Sequence, residues 1–389
     1  MINQIKHLAE STFDEIVEIR RYIHKNPELS FNEHKTSAYI KSILTGWGIS
    51  FTEDIADTGI VVLLEGNNPS LKTLALRADF DALPITEENE INYCSVNKGV
   101  MHACGHDVHT ASLLGVVKIL YALKQEWEGS IKFIFQPAEE MLPGGAQQMI
   151  KEGVLENPKV EKMIGQHVFP DLEVGKVGFR PGKYMASTDE LHITIKGKGG
   201  HAALPHKYNS PLLAAAKLIT DLDISFEKEK DRPSVLAIGF IEGLGSTNVI
   251  PEQVKLKGTL RAMDEEFRAL AHDKILAISN AIAQAYKLEI DFDIRKGYPC
   301  LVNDEVLTKK SIAFAKQFLG EDNVIDLPIR MTAEDFSYYS HEVPSTFYRL
   351  GTANKSKGIT HGLHTSRFNI DEKSLKIGMG LMAYLAIKN

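Results

Sequence analysis

The stretch VMHACGHDVHTASLLGVVKILYALKQEWEGSIKFIFQPAEE, residues 100–140, decides how the rest of the chain is read. From 108 to 123 its apolar residues fall at helical spacing, and SIKFIFQP is a short apolar run typical of a buried strand. Upstream, GIVVLLEG and TLALRAD are further Val- and Leu-rich runs of strand type, and a short helix is expected at 145–151. Strands alternating with helices predict an α/β core with helices on both faces. The N-terminal part adds an amphipathic helix over 5–24, stopped at Asn26-Pro27, and a second over 34–47.

Between 184 and 294 the pattern changes. DELHITIKGKG alternates, with Leu191, Ile193 and Ile195 on one side and His192, Thr194 and Lys196 on the other, as a half-exposed antiparallel strand does. A helix over 210–222, the strands VLAIGFIEG and VKLKGTLRA, a long helix over 265–286 and the strand LEIDFDI complete a β-α-β-β-α-β unit. SFEKEKDRP, between the first helix and its strand, reads as a charged, solvated loop. Helices near 306–318 and 373–387, around the strand STFYRLG, return to the α/β pattern. The expected architecture is a two-domain α/β protein. A mixed-sheet α/β core domain from residues 1–183 and 295–389 is interrupted by an inserted α+β domain at 184–294.

Composition narrows the function classes. The chain has 389 residues, 44 Lys+Arg against 51 Asp+Glu, and a net charge of −7, so no basic footprint for nucleic acid is present. A hydrophobic content of 43% with 24% charged residues suits folded domains and excludes a disordered chain. No run approaches the ~20 apolar residues that span a bilayer. MINQIKHLAESTFDE has no apolar signal-peptide core, and three scattered cysteines make no disulfide framework. A cytoplasmic protein with no membrane partner is expected.

Chemistry concentrates at the two ends of the opening stretch. His102, Cys104, His106, Asp107 and His109 lie together just before and within the start of the predicted helix. Imidazole and thiolate are good ligands for borderline transition ions, and a turn can bring Cys104 and His106 to one centre. The alternative is a polar loop whose histidines satisfy buried hydrogen bonds. Glu139-Glu140 follow the predicted strand, where open α/β sheets place their ligands. Neighbouring carboxylates in a turn can divide two tasks, one binding a metal and the other acting as a base toward water. His167, in GQHVF, is also expected near a strand end, and His361 and His364 share a Gly-containing loop before the last helix. In GKGGHAALPH the glycines lack the phosphate-loop and dinucleotide spacings, so His201 reads better as a hydrogen-bond donor to a developing oxyanion.

RADFDALPITE, MHACGHDVHTA, FQPAEE, GQHVFP, GGHAALPH, GTLRAMD, MTAEDFSYY and GLHTSRF, taken in this order, resemble the aminoacylase/hippurate-hydrolase metallopeptidase-like family. The branch is similar to auxin-conjugate amidohydrolases and bacterial N-acyl-amino-acid deacylases, and the likeness runs from about residue 20 to the C-terminal helix. It implies two adjacent divalent metal ions per subunit (Mn²⁺ or Zn²⁺, with Co²⁺ or Ni²⁺ as alternatives) and a homodimer formed through the inserted domain, which also covers the site. By position, Cys104, His106, Glu140, His167 and His364 match the metal ligands, and Glu139 matches the general base. His201 matches the oxyanion-stabilising histidine, which the partner subunit supplies in related enzymes. Asn248 and Arg261 match positions that hold the substrate carboxylate. The family's His-x-Asp pattern is replaced by Arg77-Ala78-Asp79, and Cys104 stands in for the missing ligand. Asp79 is the better match for the carboxylate that orients a ligand imidazole, with Asp81 a second candidate.

The implied activity is hydrolysis of the amide bond of N-acyl-L-amino acids, small molecules carrying an N-acetyl, hippurate-like or indoleacetyl group. Two alternatives stand beside it: a metallo-exopeptidase of the same fold, and a non-catalytic metal-binding protein. The Glu139-Glu140 pair speaks against the second, because a pure binding site needs no spare base. MTAEDF (331–336) is expected near the substrate without a chemical role, its acidic residues serving equally well to cap the following helix.

Overall fold

The structure is a computed structural model and describes residues 1–227 and 232–389. The chain divides into two compact units, one of Met1–Gly182, Val302–Pro328 and Asp335–Asn389, the other of Lys183–Leu301 and Ile329–Glu334.

The larger unit is built on an eight-stranded mixed sheet. Its order is Phe51–Ile55, Gly59–Glu65, Ser130–Gln136, Thr73–Asp79, Lys162–Glu173, Ser345–Ala353, Val177–Phe179 and Val324–Asp326. The four central strands run parallel to one another, and antiparallel partners flank them on both sides. Thr73–Asp79, Ser130–Gln136 and Ser345–Ala353 are buried along their whole length, as strands covered on both faces must be. The helix His106–Ala122 is buried almost all round and packs against Phe13–Lys25 and Lys373–Lys388. That packing fixes the end of the helix that carries His106.

The N-terminal helix expected as one piece is two, Ile2–Ser11 and Phe13–Lys25. The break falls at Thr12, whose Oγ1 donates to the Leu8 carbonyl at 2.8 Å, a local bond that competes with helix continuation. Phe13–Lys25 then ends just before Asn26-Pro27, and the second expected helix is His34–Gly46.

The smaller unit has an antiparallel sheet in the order Ser234–Glu242, Gln253–Ala262, Asp189–Lys196, Glu289–Lys296. With the helices Pro211–Glu227 and Glu265–Tyr286 the chain order is β-α-β-β-α-β. Burial alternates along Asp189–Lys196, with Leu191, Ile193 and Ile195 packing into a core with Leu218, Leu222, Phe267 and Ile275 from the helices. Asp264 caps Glu265–Tyr286 by accepting from the Phe267 N–H at 2.9 Å, and Lys287 ends it in the left-handed region. The loop expected over 225–233 begins inside a helix that extends to Glu227, and residues 228–231 lie outside the described residues. Among the described residues no helix is long and apolar enough to cross a membrane.

Candidate metal centre

Three segments of the larger unit converge at the carboxyl ends of the central strands, where open α/β sheets hold ligands. The first is the start of His106–Ala122. Gly105 caps it with φ +81°, and a Cβ there would lie 2.5 Å from Val168 Cγ2, so only glycine permits this approach. The second is the turn after Ser130–Gln136, where Ala138 has φ +54° and its N–H donates to Glu33 Oε1 at 2.9 Å. The third is the 360–365 loop, in which His364 has φ +59° and donates its N–H to the Ala103 carbonyl at 2.9 Å. Non-glycine residues held in this region store backbone strain that the surroundings must outweigh, as at many functional sites.

These segments and the strand Lys162–Glu173, which carries His167, bring Cys104, His106, Glu140, His167 and His364 together. Cys104 Sγ is 3.5 Å from His167 Nε2 and 3.4 Å from His364 Nε2, and His364 Nε2 is 3.3 Å from Glu140 Oε1. His106 Nε2 lies 3.9 Å from the same Glu140 oxygen. Donor atoms of Cys104, His106 and His167 lie within 4.8 Å of one another, as do those of Cys104, Glu140 and His364, and those of His106, Glu139 and Glu140. His167 is not at a strand end as expected but inside Lys162–Glu173. Its Nδ1–H donates to the Val168 carbonyl at 2.7 Å, which leaves the Nε2 lone pair facing Cys104.

The residues fit a pair of divalent cations. His106 Nε2 and Glu140 Oε1 are buried and have no hydrogen-bond partner among the described residues, an arrangement costly for a site meant to stay empty. Burial, reinforced by Glu140, Glu139 and Asp79, pushes the Cys104 thiol well above its usual range. Burial would lower His106, but Asp79, Asp81 and Glu140 outweigh it and push it up to about 10. The His106 shift reports the negative potential of the surrounding carboxylates, which cations would neutralise. This donor set of thiolate, imidazole and carboxylate suits Zn²⁺, Mn²⁺ or their neighbours.

The carboxylates around His106 and His109 divide differently from the expectation. Asp81 Oδ1 accepts from His106 Nδ1 at 2.9 Å, while Asp81 Oδ2 accepts from the Glu140 N–H at 2.9 Å and from Ser30 Oγ at 2.7 Å. Asp79 Oδ1 instead pairs with His109 Nδ1 at 2.5 Å, and Asp79 Oδ2 stays 3.6 Å from His106 Nε2. Residues two apart on a strand face the same way, but the strand ends at Asp79, and beyond it Asp81 takes a different histidine. His109 Nε2 accepts from the Val168 N–H at 2.9 Å, so both of its nitrogens serve the protein. Within the histidine cluster the roles separate: His109 satisfies buried polar groups, whereas His106 turns Nε2 toward the other candidate donors. His102 is buried with neither ring nitrogen partnered among the described residues, and burial lowers it to about 4. His361 is exposed and forms no part of the donor groups.

Sequence reasoning gave no task to three residues that the fold places beside the site. Glu33 accepts from Ala138 at the turn that presents Glu139 and Glu140, and burial together with Asp81 pushes it up to about 7. Arg77 and Asp335 are buried and paired at 2.6 Å across 258 positions, a contact no local spacing reveals. Asp335 caps no helix: Ser337–Glu342 has no side-chain cap, and the Asp335 N–H instead donates to Glu139 Oε1 at 3.3 Å.

In the smaller unit, Gly200–His201 pairs with Val249–Ile250, and the Ala202 N–H donates to the Asn248 carbonyl at 2.9 Å, so His201 and Asn248 are neighbours. His201 Nδ1 accepts from the Ala203 N–H at 3.1 Å. Arg261 is half-buried on Gln253–Ala262, where burial lowers it despite the opposing pull of Asp189.

Residues 75–388 match the family described as peptidase family M20/M25/M40, and the chain belongs to that family. It is 37% identical over 363 residues to the N-acetyl-L-cysteine deacetylase of Bacillus subtilis (strain 168), covering 93% of this chain and 85% of the relative. It is 36% identical over 394 residues to thermostable carboxypeptidase 2 of Saccharolobus solfataricus, covering 100% of this chain and 98% of that one. Among solved structures it is similar to the Bacillus subtilis YXEP protein, described as a dinuclear metal binding peptidase. The TM-score is 0.84 at 32% identity, over 97% of this chain and 98% of that one. The chain is thus a metal-dependent amidohydrolase, as its motifs led us to expect.

Proposed function

We propose that the protein is a binuclear enzyme that hydrolyses N-acyl-L-amino acids to a carboxylate and a free amino acid. The observation that carries this reading is the pair of buried atoms His106 Nε2 and Glu140 Oε1, neither hydrogen-bonded among the described residues, with Glu139 beside them. Cys104, His106, Glu140, His167 and His364 would hold the ions, which supply Lewis acidity toward water and the amide carbonyl when bound. Glu139, held from behind by the Asp335 N–H, takes the proton of the attacking water and delivers it to the leaving amine. His201 donates to the developing oxyanion. Its Nδ1 accepts from the backbone, so Nε2 carries the proton, as that role requires. Arg261 and Asn248 hold the substrate carboxylate, for which a planar guanidinium is well shaped.

The B. subtilis relative named for N-acetyl-L-cysteine deacetylation supports an acyl group over a free amine on the scissile side. The relative named a carboxypeptidase keeps exopeptidase action as the second reading. A homodimer through the smaller unit belongs to the same proposal. Ser234–Glu242 is an edge strand with Phe240 and Ile241 exposed at 41% and 55%, and the adjacent helix exposes Leu213 and Ile224 at 62% and 52%. An unpaired edge beside exposed apolar side chains calls for a cover. A working thiol at Cys104 suits a reducing cytoplasm.

The test is amino acid release from N-acetyl, N-benzoyl and N-indoleacetyl amino acids and from dipeptides, using chelator-stripped protein with and without Mn²⁺, Zn²⁺ or Co²⁺. Metal-restored cleavage of N-acyl amino acids is expected. Cleavage of dipeptides alone would transfer the proposal to the peptidase reading.

A further inference from the structure

Behind the candidate metal centre lies a buried chain of polar side chains to which the mechanism above assigns no task, although it uses the backbone N–H of Asp335. Arg77, on Thr73–Asp79, donates from Nη1 to Asp79 Oδ2 at 2.7 Å, from Nε to Gln136 Oε1 at 2.8 Å and from Nη2 to Asp335 Oδ1 at 2.6 Å. Gln136 closes the ring, its Nε2 lying 2.9 and 2.7 Å from the two Asp335 oxygens, and the Ala146 N–H reaches Asp335 Oδ2 at 3.0 Å. Arg77 is 1% exposed and Asp79, Gln136 and Asp335 are fully buried. The guanidinium also lies 6.0 Å from the centre of the Phe336 ring.

A buried guanidinium between two carboxylates carries a large desolvation cost, and a well-packed apolar cluster would stabilise the fold as well or better. Its geometry offers another rationale. The chain ends at one side on Asp79, which holds His109, and at the other on Asp335, whose N–H holds Glu139 Oε1. Arg77 thereby links the strand beside the imidazoles to the backbone that aims the base. His106 itself is held by Asp81, outside this chain.

We propose that Arg77 is a positioning residue, which through Asp335 fixes where Glu139 stands relative to the metal ligands. The proposal rests on the reading of Glu139 as general base. A planar fork with donors in fixed directions can do this, whereas a lysine is a flexible point charge that cannot reach Gln136, Asp79 and Asp335 in one plane. Displacement of a reacting group by about 1 Å can cost about 10²-fold in rate.

The test is Arg77→Lys, which keeps the buried charge, with Asp335→Asn as an independent variant at the other end of the link. Both are loaded with Co²⁺ and compared with wild type in kcat, KM and the visible and near-ultraviolet cobalt spectrum. The expected result is a fall in kcat of about 10²-fold with KM unchanged and the spectrum of wild type, because the ligands and Asp81 are untouched. Wild-type kcat in either variant overturns the proposal. So does a loss of kcat accompanied by an altered cobalt spectrum, since the residue would then act on the ligands or the fold at large. Glu139→Gln assayed alongside separates the two levels: turnover by that variant defeats the general-base reading itself, while full activity of Arg77→Lys defeats only the positioning role.

Discussion

Asp81 grips His106 from behind, its Oδ1 2.9 Å from Nδ1, while its other oxygen accepts the Glu140 N–H at 2.9 Å. One carboxylate thus orients two donors to the cluster, one through the side chain and one through the backbone.

Asp81→Ala should therefore weaken metal binding more than a single lost hydrogen bond suggests. Outer partners of metal ligands are typically worth about 10- to 100-fold in affinity. We expect a loss toward the upper end, measured by competition with a chromophoric chelator. Asp79→Asn, which changes the partner of His109, should weaken metal binding less.

Cys104 bridges two donor groups, with His167 on one side and His364 on the other. Replacing sulfur by oxygen in Cys104→Ser removes the soft donor, so affinity for Zn²⁺ should fall more than affinity for Mn²⁺. The cobalt-loaded variant should lose its thiolate charge-transfer absorption. An unchanged spectrum would remove Cys104 from the ligand set.

At Gly165 the strand Lys162–Glu173 packs its bare Cα against two aromatic rings, Phe336 and Phe347, that stack on each other with centroids 4.9 Å apart. A Cβ there would meet Phe347 Cδ2 at 2.6 Å and Phe336 Cε2 at 2.7 Å, both rings buried. Gly165→Ala should destabilise the protein by about 1–3 kcal/mol through overpacking, seen in urea unfolding. Because Phe336 follows Asp335 and the Phe347 ring lies edge-on to His167, at 6.0 Å between centroids, activity should fall as well.

Asp189 anchors the smaller unit. It is fully buried, pairs with Arg268 through both oxygens and accepts from His272 Nε2 at 2.6 Å. Burial opposes ionisation, but Arg268 and His272 overcome it and lower the carboxyl to about 2. A carboxylate whose folded value lies below its unfolded one contributes stability that is present above the unfolded value and lost as pH falls through the folded one. The contribution, on the order of 2 kcal/mol, should be intact above about pH 4 and disappear toward pH 2. Thermal unfolding followed by circular dichroism between pH 5 and 2.5 should show this acid limb, and Asp189→Asn should flatten it.

Much of this was legible in the sequence because it depends on local spacing. The helix Glu265–Tyr286 announces itself by Asp264 at its start, and the donors of the candidate metal centre lie in short motifs, although His167 proved to sit inside a strand and not at its end. The identity of the orienting carboxylate was not legible, since Asp79 and Asp81 are two residues apart and only the path of the chain beyond the strand assigns His109 to one and His106 to the other. The break at Thr12 turned on one hydroxyl bonding back to Leu8, which apolar periodicity does not register. The pairing of Arg77 with Asp335 lay furthest from reach: the motif around Asp335 is expected near the substrate, but 258 positions separate the two and only the fold buries them against each other.

The most direct test of the account is to titrate chelator-stripped protein with Mn²⁺, measuring bound metal per chain and hydrolysis of an N-acetyl amino acid in the same samples. The account predicts two ions bound per chain, no hydrolysis in their absence, and the loss of bound metal in His106→Ala and Glu140→Ala. Full hydrolysis by metal-free protein, or saturation at one ion with full activity, would contradict it.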